Sequence, residues 1–363
     1  MLLIQVHELV HSLSMAEKKY LRRQARTGEQ LPEYMRLFED LNGMEAPIKT
    51  EFNAKTMGWK MRNNPSVALA YLRDRILSAM VEFGLRKSPY RQNVRRLEHI
   101  NWLYTRGNRE MSRVLLEKGL RESQRLNDAL LEMQWLKWRA RFRRIPGEKK
   151  GEDMQTDLSM VTASLRLEQS IHLLRKYEEL YPILRSSTQS PLSIKDIQQL
   201  AAEICQIPVE HLDFDGQLAQ ATLMGILLEK GGDPEGAFRW IDTNLKIWHN
   251  HPARIREHAY RYRAALTNYL TFCLNTQRES EFQRVAQEAL QQVAISKAER
   301  KILELKVFQL YLTFLLRQSQ YSEALEQALA LPEPNHSPPH YPLSLHIYVA
   351  LTFFLYGKRK MAR

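Results

Sequence analysis

The residues whose spacing most clearly spells a reaction lie near the start of the chain, at His7-Glu8-Leu9-Val10-His11. On a helix this H-E-x-x-H spacing puts two imidazoles one turn apart, where they can hold zinc while the glutamate activates a water. The surroundings lack the rest of that machinery. Only six residues precede His7, too few for a flanking substrate strand; Ser14 stands where the elongated motif needs glycine; and a third ligand would be a distant carboxylate such as Glu29 or Glu33. The competing reading is an amphipathic helix with Val6, Leu9, Val10 and Leu13 turned inward. A zinc metallopeptidase at His7, Glu8 and His11 is thus a remote alternative, and no cofactor is expected.

Two further histidine pairs, His249/His251 and His336/His340, stand beside prolines without third and fourth ligands, and read as surface histidines. Cys205 and Cys273 are far apart with no ligand spacing around them, which predicts free thiols in a reducing, cytoplasmic setting. There is no glycine-rich phosphate loop, no G-x-S-x-G elbow and no Cys-His catalytic spacing. The expectation is a protein that is not an enzyme.

Charge is more informative. The 363 residues carry 53 Lys+Arg against 41 Asp+Glu, a formal +12. Residues 86–150 alone hold 18 basic and 7 acidic residues, net +11, while 151–363 are nearly balanced. Leu131, Trp135, Trp138, Phe142 and Ile145 fall on one helical stripe, with Lys137, Arg139, Arg141, Arg143 and Arg144 around the rest. Arg91, Arg95 and Arg96 extend the basic surface onto a preceding helix. Such a surface fits an anionic partner, either nucleic-acid phosphates, which arginine grips bidentately, or an acidic protein surface. The alternative is that the arginines pair with Glu98, Glu110, Glu117, Glu122, Asp128 and Glu132, with the tryptophan stripe forming core.

The elements that must position these residues are helices. Apolar residues recur at three and four positions, as in Leu69, Leu72, Ile76, Met80 and Phe83, and no stretch alternates long enough for a sheet. With 14 Gly and 15 Pro, turns are few. The periodicity predicts helices over 5–26, 31–42, 47–58, 66–86, 90–106, 109–126, 128–145, 153–185, 193–205, 216–230, 234–249, 253–275, 279–295, 298–318, 322–330 and 342–356. Ser66, Ser193 and Asp233-Pro234 are candidate helix starts. Linkers at 146–152 and 186–192 suggest a basic helical region over 1–150, a long connecting helix and linker over 151–192, and a helical array over 193–363.

Four places share a frame of helix, sharp turn and helix with small residues at fixed offsets. They are Met224-Gly225 with Gly232-Asp233 and Ala237; Ile100 and Leu103 with Gly107-Asn108, Ser112, Leu116 and Gly119; Leu315 with Ser319 and Ala324; and Ala350 and Phe353 with Gly357 and Ala362. Small residues there let helix backbones approach. The frame resembles the tetratricopeptide repeat, whose pattern sets Gly or Ala on one helix against Ala on the next. The resemblance implies an all-α, right-handed superhelical array of antiparallel helix hairpins that binds a peptide or protein partner rather than catalysing a reaction. A non-enzymatic scaffold for protein–protein interaction is therefore the leading expectation, and a nucleic-acid-associated helical-repeat protein using 86–150 the second.

The chain's ends add two expectations. Met1–Val6 reaches His7 and Glu8 too early for an export signal. Tyr341–Tyr356 is apolar but shorter than the roughly 20 residues a bilayer core needs, so it reads as a buried helix rather than a membrane span. As the first helix of a hairpin, it would lack a complete partner, which suggests a piece of a longer protein or a face covered by another chain.

Overall fold

The computed structural model describes residues 1–25, 32–47, 65–86, 88–143, 153–185, 192–291 and 297–329. Among these it is all-α, with sixteen α-helices, one short 3-10 turn and no strand. The expected helix 47–58, both linkers apart from Leu192, the hairpin beyond residue 341, Arg144 and the pair His336/His340 lie outside the described residues. No helix among the described residues is long and apolar enough to cross a membrane.

The chain divides into two compact units, Met1–Gln92 and Asn93–Arg363. In the first, α1 (Leu2–Ser12), α2 (Met15–Ala25), α3 (Glu33–Asn42) and α4 (Pro65–Leu85) close around Val6, Val10, Met35, Phe38, Leu41, Leu72 and Ile76. The single helix expected over 5–26 is two. Leu13 is extended, and Ser14 with Glu17 forms a capping box: the Ser14 amide donates to Glu17 Oε2 at 2.7 Å and the Glu17 amide to Ser14 Oγ at 3.3 Å. α4 starts at Pro65, one residue before the expected Ser66 cap, because proline is pre-set for a first helical turn.

The division falls within α5 (Pro89–Thr105). The second unit continues with α6 (Arg109–Arg125), α7 (Ala129–Arg143), α8 (Asp153–Arg185), α9 (Ile194–Cys205), α10 (Phe214–Lys230), α11 (Pro234–Asn250), α12 (Pro252–Glu257), α13 (Ala259–Asn275), α14 (Glu279–Gln291), α15 (Lys297–Arg317) and α16 (Tyr321–Leu329). The helix expected over 253–275 is broken at His258, where the backbone leaves helical geometry at φ −123°. From α6 onward most helices pack on the next in sequence, and α8, α11 and α13 also pack on the next but one. α9 begins where expected, with Ser193 and Asp196 in a reciprocal capping box.

One turn recurs. Gly107, Asn127, Gly232, Gln277 and Ser319 all adopt left-handed φ between +50° and +84°. The following amide bonds back five residues each time: Asn108 to Leu103, Asp128 to Ser123, Asp233 to Leu228, Arg278 to Cys273 and Gln320 to Leu315, at 2.8–3.1 Å. This is the Schellman closure of a helix C-terminus. Asn108, Asp128 and Asp233 then accept an amide of the next helix, so one short turn ends one helix and starts another.

Small residues do what their spacing implies, with one change of partner. A Cβ on Gly225 would stand 2.8 Å from Ile241 across the α10/α11 hairpin. Gly119 instead makes room for α7: a Cβ there would sit inside the Trp135 ring. On α8 the buried Thr156, Ala163 and Ser170 recur every seventh residue, and a Cβ on Gly216 would meet Ser170 Oγ at 2.5 Å.

Candidate functional site

His7 and His11 share one face of α1, with ring centroids 4.2 Å apart. Their Nε2 atoms serve α3: His7 donates to the Met44 carbonyl at 3.0 Å and His11 to the Leu41 carbonyl at 3.1 Å. Leu41 lies in the last turn of α3 and Met44 just beyond it, so the imidazoles fasten α1 to the C-terminal end of α3. Glu8 is exposed. Among the described residues no group of three or more His, Cys, Asp or Glu is placed to hold a metal.

Of the pair expected at the surface, His249 is exposed yet hydrogen-bonded, while His251 is half-buried. His249 Nε2 lies 2.9 Å from the Tyr262 hydroxyl and 2.8 Å from Glu288, and the Tyr262 hydroxyl donates to Glu288, joining α11, α13 and α14. Burial, then that carboxylate, pushes the Tyr262 phenol upward. His251 sits edge-on to Phe214, and burial followed by the Arg254 charge lowers its pKa. Cys205 is exposed and Cys273 buried, both free, with burial raising the Cys273 thiol to about 12.

The basic segment folds into the layer α5–α7. Its tryptophan stripe is core: Leu131, Trp135, Trp138 and Phe142 are buried. Gly119 admits Trp135, and Tyr104 meets Trp138 and Phe142 edge-on. The cations do not gather on one face. Lys137 and Arg141 share the outward side of α7, whereas Arg139 lies on the opposite side and grips Glu117 at 2.8 Å. Arg91 and Arg95 are exposed on α5, the Arg91 guanidinium filling the space beside Gly84, and Arg96 is half-buried. Arg143 ends α7, its side chain outside the described set.

Most of the expected local pairing is absent among the described residues. Asp128 is taken by Arg254 of α12 at 2.9 Å, and Glu132 by Arg166 of α8 at 2.9 Å. Both partners come from outside residues 86–150. Arg254 is 4% exposed, bonds the Leu126 carbonyl at 3.3 Å and lies over the Phe214 ring. With the Phe214 amide donating to Asn127 and Arg166 reaching the same asparagine side chain, the turn 126–128 is held by three later elements. Arg106, Arg109, Lys118, Arg121, Arg125, Lys137 and Arg141 have no carboxylate partner among the described residues.

A feature that the sequence does not announce runs along α13. One cleft of about 200 Å³ is lined by Tyr177 and Tyr181 of α8, by Thr222, Asn244 and Trp248, and by Arg261, Ala264, Ala265 and Asn268 of α13. A second, of about 360 Å³, is lined by Thr267, Asn268, Thr271 and Asn275 of α13 and by Lys306, Gln309, Thr313 and Arg317 of α15. They share Asn268. Arg261, Ala264, Asn268, Thr271 and Asn275 follow a three-to-four residue step, so one face of α13 floors both clefts. Its short side chains create the hollow, and carboxamides and hydroxyls edge it. Asp215 pairs with Arg261 at 2.7 Å at one end, while Arg317 at the other holds the neutral Asn275 Oδ1 at 3.0 Å.

No protein-family model matches the chain, and no curated protein or solved structure matches it either.

Proposed function

We propose that this chain is a non-enzymatic, tetratricopeptide-like helical-repeat module that holds an extended segment of a partner protein in the groove along α13. The observation that carries the reading is the joining of two clefts at Asn268, walled by α8, α10 and α11 on one side and by α15 on the other. An extended peptide presents unpaired backbone N–H and C=O groups, which Asn268, Thr271 and Gln309 can satisfy. Tyr177 and Tyr181, both half-buried, offer flat apolar surface for its side chains, the usual chemistry of a binding cleft. The recurrent turns, the close approach at Gly225 and the next-but-one packing of α11, α13 and α15 support the right-handed repeat array that the hairpin pattern implies. Two free thiols fit a cytoplasmic setting.

The test is peptide-phage selection on the complete chain, counter-selected on an Ala264→Arg/Asn268→Ala variant whose groove is filled. Peptides that bind the chain and lose at least tenfold in affinity on the variant support the reading. Peptides that bind both equally, or a selection yielding none, overturn it.

A further inference from the structure

The layer α5–α7 carries a second, independent surface. Its positive charge is not quenched locally, because Asp128 and Glu132 are consumed by Arg254 and Arg166 from elsewhere in the fold. On α6, Lys118, Arg121 and Arg125 fall at i, i+3 and i+7, one exposed stripe without a carboxylate partner among the described residues. At the start of the same helix, Arg106 and Arg109 flank the Gly107-Asn108 turn, both exposed. The layer's remaining tryptophan is not core: Trp102 is 59% exposed, with the Arg106 guanidinium 5.4 Å from its ring centroid. The other two tryptophans of the layer are buried, so this indole costs the core nothing and offers a free π-face.

We propose that this surface binds single-stranded nucleic acid, with Arg106, Arg109, Lys118, Arg121 and Arg125 on phosphates and Trp102 stacking on a base. Arginine outnumbers lysine among those five cations, and its planar fork matches phosphate oxygens bidentately. A ring stacked with a guanidinium beside a run of cations is how unpaired bases are held without sequence readout. An acidic peptide would use the cations and leave the indole idle. A membrane surface would require a broad apolar face, and the outward side of α6 offers only Met111 and Val114 among its charges.

The test is fluorescence anisotropy of a labelled oligo(U) strand with the complete chain over a salt series, with an equally charged polyglutamate and anionic vesicles as competitors. Binding should weaken as salt rises. Lys118→Glu/Arg121→Glu/Arg125→Glu should lower the log–log salt slope by about 2, at about 0.7 per single-strand phosphate contact. Trp102→Ala should weaken binding about tenfold while Trp102→Phe keeps most of it. All three variants change exposed side chains, and unchanged thermal unfolding would show that they fold. Absence of binding at low salt overturns the proposal, as does equal competition by polyglutamate or vesicles, or a Trp102→Ala variant indistinguishable from the parent. None of these outcomes touches the groove on α13.

Discussion

The layer α5–α7 and the stack α10–α14 are built from the same part, a helix hairpin closed by a left-handed residue and an i to i−5 amide bond, yet they use charge in opposite ways. In the stack, cations are spent on acids of the fold: Arg261 on Asp215, Arg278 on Glu235 and Lys246 on Asp242 within it, and Arg254 on Asp128 of the layer. In the layer, the pairs Arg139–Glu117 and Arg113–Glu110 leave most cations facing water. Identical hairpins can therefore be differentiated by the placement of acids alone. An inward pair fixes how hairpins sit, and an unpaired cation is left for another molecule.

The contrast breaks most sharply at Arg254. Arg254→Ala would leave half-buried Asp128 and the more deeply placed Glu257 without their cation, and chemical denaturation followed by circular dichroism should show a loss of about 3 kcal/mol. Arg254→Met, which keeps the bulk, should lose less only if packing against Phe214 contributes. Next comes packing. Gly119→Ala forces a methyl into the rigid Trp135 ring and should cost about 1–3 kcal/mol, more than Gly225→Ala, where the flexible end of Ile241 can yield. Equal losses in thermal unfolding would contradict the difference between ring and aliphatic neighbour.

A smaller effect should appear with pH. His251 is held below the ordinary histidine range by burial and then Arg254; His258 by burial, then Arg261 and Arg254. The unfolded chain therefore binds more protons than the folded one just below pH 6.5. Stability should fall as pH drops through that value toward 5. A denaturation series on Arg254→Met should show a shallower slope, and an unchanged slope would remove Arg254 as a cause. Smallest is the turn itself. Gln277 holds φ +55°, which glycine adopts freely, so Gln277→Gly should raise stability by about 0.5 kcal/mol in the same assay.

Sequence periodicity carried the helical class because each face repeats within a few residues of chain. Turns with Gly107, Gly232 and Ser319 were legible because their residues advertise a left-handed backbone or a tight turn. Asn127 and Gln277 adopt the same geometry, but glutamine carries no such signal, and tertiary packing imposes the shape. The break at Ser14 was written as S-x-x-E but masked by apolar spacing that continues through it. The basic segment was visible as a count; its unpaired state was not, since Asp128 finds its partner at Arg254. The groove on α13 was hidden for a different reason: it is made by side chains that are short, and Ala264, Ala265 and Thr271 give no chemical motif to read.

The tie between the turn at 126–128 and Arg254 also bears on how such a chain can change over evolutionary time. An open repeat array tolerates gain or loss of whole repeats, because each new unit meets only its neighbours. Here the stretch from α7 to α12 is bounded by two points that must meet. Duplicating a hairpin between them would pull Arg254 away from Asp128, so the number of hairpins inside that span is fixed by geometry. Outside it, on the α14–α16 side, an added hairpin would leave that contact intact.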